Sequence, residues 1–163
     1  MTKRSTFPTA NDLGADVREK SISLLNQQLA DSTDLYSQIK QAHWNVKGLQ
    51  FHQLHLLFDS LADEVEGHID DIAERATALG GIALGTIRMA AASSRLEDYP
   101  TNAINGRQHL EALITRFAAV GKTTRAAIDK ATGFGDADTA DLFTGVSRSL
   151  DKSLWFLEAH LQE

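Results

Sequence analysis

The stretch FHQLHLLFDSLADEVEGHIDDIAERATAL, residues 51–79, carries two periodic patterns at once. Phe51, Leu54, Phe58, Leu61, Val65, Ile69, Ile72, Ala76 and Leu79 recur at intervals of three and four, the spacing of one amphipathic helix with a single core-facing stripe. His55, Asp59, Asp70 and Glu74 share another face. At about 100° per residue they fall within roughly a quarter of the helix circumference, well over 90° from the middle of the apolar stripe. Side chains with metal-ligand chemistry therefore point away from the monomer's own core.

His55 and Asp59 are four residues apart, as are Asp70 and Glu74, so each pair can converge on one ion. The two pairs cannot meet within one helix, because His55 and Glu74 are separated by about 28 Å of helical rise. Two copies of the helix lying antiparallel across a two-fold axis near residues 64 and 65 would bring each His55/Asp59 pair against the other chain's Asp70/Glu74 pair. Charges on a solvated face would give the same local pattern, and the choice between the readings turns on residues upstream.

Those residues lie on a preceding helix expected from about Ala15 to Val46, ended at Lys47-Gly48, where Gly48 suits a left-handed cap. Val17, Ile22, Leu25, Leu29, Tyr36, Ile39 and Val46 form its inner side, and the polar run Asp31-Ser32-Thr33-Asp34 interrupts it without a breaker. A short turn makes the two helices antiparallel neighbours. His43 precedes Gly48 by five residues and His55 follows it by seven, so the hairpin sets the two imidazoles at similar heights. With His55 and Asp59 opposite, His43 reads as a third ligand rather than a lone structural histidine.

The segment GGIALGTIRMAAASSRLEDYP, residues 80–100, is too long for a tight turn and too apolar for disorder, and predicts a packed crossover with a short helix near Ser94 to Tyr99. A third helix follows from about Thr101 to Ala131, with Ile104, Leu110, Leu113, Phe117, Val120, Thr124 and Ile128 inward. Thr132-Gly133-Phe134-Gly135 breaks it, and a fourth helix runs to about Leu161 on Phe143, Val146, Leu150, Leu154, Leu157 and Leu161. Trp155 is assigned to the core. The predicted architecture is all-α: a ferritin-like four-helix bundle over residues 15–163, with a long crossover between the second and third helices, behind a mobile or surface-laid tail over residues 1–14.

The chain has 163 residues, two prolines and no cysteine, which suits one helical domain and excludes disulfides and thiolate metal sites. No apolar run reaches transmembrane length and no apolar segment follows Lys3 and Arg4, so no membrane association is expected and the reading is cytoplasmic and soluble. A net charge of −6 argues against a broad nucleic-acid face and suits a protein that attracts cations.

AHWN (residues 42–45), His55 and Asp59, DDIAERATALGG (70–81), DADTAD (136–141) and SLDKSLWFLEAH (149–160), taken in order and spacing, resemble the Dps family of mini-ferritins, named for DNA-binding protein from starved cells. The resemblance extends over nearly the whole chain from the first helix onward. It implies a hollow homododecamer that binds Fe(II) at ferroxidase sites on two-fold interfaces, oxidises it preferentially with hydrogen peroxide and stores ferric mineral, protecting the cell against oxidative damage. Carried over by position, His43, His55 and Asp59 would come from one subunit and Asp70 and Glu74 from its partner, with iron as the metal. Trp44 matches a tryptophan placed to donate electrons near the iron, although packing would also explain a tryptophan there. Asp136, Asp138 and Asp141 match an acidic three-fold pore that admits iron; N-capping of the fourth helix accounts for at least one of them without a pore.

Two departures bear on DNA. Lys3 and Arg4 are the tail's only basic residues, and only Leu161-Gln162-Glu163 follow the last helix, whereas DNA-binding members use basic terminal extensions. The alternative, a nucleoid-associated protein acting by DNA compaction, rests on Lys3, Arg4, Arg18 and Lys20 repeated around a cage. A 24-subunit ferritin is disfavoured because no Glu-x-x-His occurs. Among the remaining histidines, His52 reads as a surface residue and His68 as a support for Asp70; His109 and His160 have no nameable partner.

Overall fold

The computed structural model describes residues 6–162. Among them lie α1 (Ala15–Asn45), α2 (Phe51–Ala78), the short α3 (Ile87–Ser93), α4 (Gly106–Phe134) and α5 (Ala137–Ala159), with no strand. α1 packs on α2 and α4 on α5, as two helical hairpins. Leu25, Leu29, Leu35 and Ile39 of α1 meet Leu54, Phe58 and Ile72 of α2, with Leu113 and Phe117 of α4 and Phe143 and Leu157 of α5, in one continuous buried core. Leu35 takes the buried position that periodicity assigned to Tyr36, which is only half-buried.

Residues 79–105 run the length of α1 back to its C-terminal end, where Lys47 N–H donates to Ile104 O at 3.0 Å. α4 therefore starts beside the start of α2 and runs parallel to it, the wiring of a ferritin-like bundle. The crossover is held by polar side chains of α1. Asn26 bonds Ile82 O and Leu84 N–H, Gln27 donates to Ser93 O, Asp31 accepts from the guanidinium and backbone N–H of Arg95, Asp34 accepts from Ser94 Oγ, and Gln38 donates to Glu97 O. The run that breaks α1's apolar density is thus a docking stripe for the crossover.

The short helix lies at Ile87–Ser93, not at Ser94 to Tyr99 as expected. Thr86 caps it by accepting from Met89 N–H, and the following alanines propagate it, whereas Ser94 and Arg95 are drawn out to Asp34 and Asp31. α4 begins at Gly106 rather than Thr101, because Asn105 and Gln108 form a capping box there; Ile104, left outside it, is 63% exposed rather than inward. The helix persists through Thr132 and Gly133 to Phe134 before Gly135, at φ 85°, supplies a left-handed cap. Trp155 is a further correction: it is 59% exposed, since two steps of about 100° from Leu157 turn it off the α5 core stripe.

Residues 6–14 lie along the bundle surface. Phe7 N–H donates to Gly80 O at 2.8 Å, and Leu13 packs on the core. Gly80 has φ 84°, and a Cβ there would come within 2.6 Å of Phe7 O, so both the turn after α2 and the approach of this segment require glycine. Lys3 and Arg4, the tail's basic residues, lie outside the described residues. Among the described residues no helix is long and apolar enough to cross a membrane.

Candidate metal centre

The α1–α2 hairpin places His43 and His55 face to face, ring centroids 3.7 Å apart and planes 21° from parallel. The contact is reciprocal: His43 Nδ1 lies 2.8 Å from His55 O, and His55 Nδ1 lies 2.9 Å from His43 O. A carbonyl oxygen only accepts, so each Nδ1 carries a hydrogen, and in the neutral ring each Nε2 keeps its lone pair. That is the tautomer of a histidine ready to ligate through Nε2, with the orienting bond made by backbone. Phe51, expected in the core, is instead 42% exposed with its ring 5.2 Å from that of His55, one turn along the same helix.

Asp59, one turn beyond His55, approaches His43 Nδ1 to 3.7 Å and makes its closest contact with Lys40 Nζ at 2.7 Å. The hydrogen bond from Lys40 is the largest influence on Asp59 and holds its carboxyl below the ordinary value; reciprocally, that bond raises Lys40. Sequence reasoning missed Lys40. The available signal was its place three residues before His43, on the face that meets Asp59.

Asp70 and Glu74 are exposed further along α2. Asp70 opens onto a groove of about 610 Å³ lined also by Leu29, Glu66, Gly67 and Gly85. Among the described residues, one chain brings no three of its His, Asp and Glu side chains into an arrangement able to hold a metal ion. His43, His55 and Asp59 gather at one end of α2, and Asp70 and Glu74 stand apart toward the other. Trp44 is 62% exposed beside them.

The three aspartates at the start of α5 have different situations. Asp136 is buried as the N-cap: it accepts from Thr139 N–H and Thr139 Oγ, and from Arg75 Nη2 at 2.7 Å. Burial alone would push its carboxyl up, but the hydrogen bonds from Thr139, joined by that from Arg75, outweigh burial and hold it below the ordinary value. Asp138 and Asp141 are exposed.

The other histidines are accounted for separately. His52 is exposed, as expected. His68 turns to α5, where Nε2 lies 2.7 Å from Ser149 Oγ, which itself donates to Glu64. His160 Nδ1 donates to Phe156 O, and His109 meets the Tyr99 hydroxyl.

A family model described as a ferritin-like domain matches residues 22–163. The five-helix fold is that of a ferritin-like protein, and the chain belongs to that class. The DNA protection during starvation protein of Agrobacterium fabrum is 47% identical over 158 residues, covering 97% of this chain and 98% of its own. The structure of DpsA14 from Streptomyces coelicolor superposes with a TM-score of 0.92 at 33% identity, covering 99% of this chain and 96% of that one. Dps from Mycobacterium smegmatis gives 0.90 at 31% identity, covering 100% and 96%. Within the ferritin-like class, this chain is a member of the Dps family.

Proposed function

We propose that the chain is a mini-ferritin that assembles as a homododecamer, binds Fe(II) at sites shared across two-fold interfaces and oxidises it to a stored ferric mineral, preferentially with hydrogen peroxide. In each site His43, His55 and Asp59 come from one subunit and Asp70 and Glu74 from its partner. The observation that carries this reading is the reciprocal His43/His55 pair, both Nε2 lone pairs free, beside Asp59 on a chain that cannot complete a metal site alone. Antiparallel pairing of two α2 helices supplies the missing carboxylates.

Imidazole and carboxylate ligands suit iron, and the two carboxylates from the partner favour the Fe(III) product by their charge. Fe(II) must compete with Lys40 for Asp59, so metal entry exchanges an ammonium for a divalent cation at one carboxylate. Trp44, adjoining His43, is assigned as an electron donor. Iron enters through acidic pores to which Asp138 and Asp141 contribute exposed carboxylates; Asp136, enclosed by Arg75 and Thr139, orders the helix that presents them.

Subunit complementation tests the shared site. Asp59→Ala and Glu74→Ala subunits, assembled separately, should each lose rapid anaerobic Fe(II) oxidation by peroxide. Dissociated and reassembled together at random, they should regain about a quarter of native activity, because a mixed dimer restores one of its two sites. Failure of the mixture to recover, with assemblies of native size, would refute the shared site.

The family name of the relatives also supports a DNA-protective role, which sequestering iron from peroxide would serve without direct contact. The alternative, direct DNA compaction, depends on Lys3, Arg4, Arg18 and Lys20, and a salt-dependent gel shift with and without residues 1–14 separates the two.

A further inference from the structure

His109, in the first turn of α4, is 1% exposed, and its Nδ1 lies 2.6 Å from the hydroxyl of Tyr99 at the end of the crossover. Burial is the dominant influence on both groups and keeps both neutral, raising the phenol and lowering the imidazole. The buried Nε2 makes no hydrogen bond, and the Asn45 backbone carbonyl adjoins the ring. Placing the single imidazole hydrogen on Nε2, toward that carbonyl, leaves the Nδ1 lone pair to accept from Tyr99. A protonated phenol thus donates to a neutral base, both shielded from water. Asn45 is two residues from His43, so the pair abuts the end of α1 that carries the candidate iron ligand and Trp44.

We propose that Tyr99 and His109 form a proton-coupled one-electron donor that completes peroxide reduction when a site holds a single Fe(II). This rests on the ferroxidase reading. Cleaving the O–O bond of peroxide to two hydroxides takes two electrons. A pair of Fe(II) ions supplies both; a lone Fe(II) supplies one and becomes Fe(III). Tyr99 then supplies the second: its O–H bond breaks, an N–H bond forms at His109 Nδ1, and a neutral tyrosyl radical remains beside an imidazolium. The positive charge comes to rest on the imidazole, where the Asn45 carbonyl favours it against burial and Lys47, rather than on the phenol ring beside Arg116. A later Fe(II) returns the electron as the proton moves back, so no hydroxyl radical is released.

The chain has two tyrosines, which makes the assignment direct. In assembled Tyr36→Phe protein, less than one Fe(II) per subunit would be treated anaerobically with hydrogen peroxide and frozen within milliseconds for electron paramagnetic resonance. A parallel metal-free arm would use photogenerated ruthenium(III) tris-bipyridine as the one-electron oxidant. The proposal expects a tyrosyl signal in both arms, abolished by adding Tyr99→Phe and reduced several-fold by His109→Gln, with helix content and assembly size unchanged. A tyrosyl signal in the metal-free arm without Fe(II) oxidation would support the donor pair while defeating the ferroxidase reading. Fe(II) consumption with no tyrosyl signal in either arm, or a signal indifferent to His109→Gln, would overturn the donor pair and leave the ferroxidase reading standing.

Discussion

Lys40 Nζ sits 2.7 Å from Asp59 Oδ1, so the carboxylate nearest the paired histidines is already engaged by a cation of the protein's own. The contact is partly exposed and of modest strength, yet it must be broken for Asp59 to face a metal ion. Lys40→Met should therefore tighten binding of Zn(II) or Co(II) several-fold in calorimetric titration of the assembled protein. Unchanged affinity would mean that Asp59 is not a ligand, or that Lys40 yields at no cost.

At the other end of α2, the buried Asp136 both caps α5 and neutralises Arg75. Asp136→Ala should lower stability by about 1–3 kcal/mol, from loss of the cap and of the charge partner together. Its carboxyl titrates lower in the fold than the ordinary 3.8, so its stabilisation is complete above that value and is lost as pH falls through the lower, folded value. Thermal melts from pH 7 down to 2 should show native and variant proteins converging only at the acid end.

Asp31 is 1% exposed, while its partner Arg95 reaches the surface. Removing the guanidinium strands a buried carboxylate, and Arg95→Ala should cost about 3 kcal/mol. Adding Asp31→Asn, which keeps an acceptor for the Arg95 backbone N–H but removes the charge, should recover part of that loss. Hydrogen exchange over residues 86–99 should rise in Arg95→Ala and fall back in the double variant; strictly additive losses would contradict the clamp.

Gly80→Ala forces a Cβ toward Phe7 O in a backbone region that disfavours side chains. A loss of about 1–2 kcal/mol is expected. Faster exchange of the Phe7 amide, which donates to Gly80 O, would show that the 6–14 segment has lifted.

Much of this molecule was legible before any coordinates, because periods of three and four dominate its helices. The heights of His43 and His55 followed from counting residues to either side of Gly48, and their stacking agrees. Other features escaped for identifiable reasons. Lys40 looks like any solvated lysine until Asp59 is placed opposite it. Asp31 and Asp34 read as part of a gap in α1's apolar stripe, although the 4-3-4 spacing of Gln27, Asp31, Asp34 and Gln38 already marked one face awaiting a partner. Tyr99 and His109 meet across a loop–helix junction, where no period connects them. The short helix was misplaced because hydrogen bonds to α1 drew Ser94 and Arg95 out, an influence external to the segment itself.

The reciprocal bonds between His43 and His55 make residues 46–50, which join α1 to α2, a measuring device. Inserting one residue into a helix flanking this turn would displace one imidazole by about 1.5 Å and swing it through roughly 100°, breaking both carbonyl contacts together. Apart from the buried Val46 and from Gly48, whose φ of 111° strains any other residue, the loop sequence can drift, but the count of residues between the two histidines cannot. Where surface loops usually absorb insertions and deletions, this one should resist any change of length.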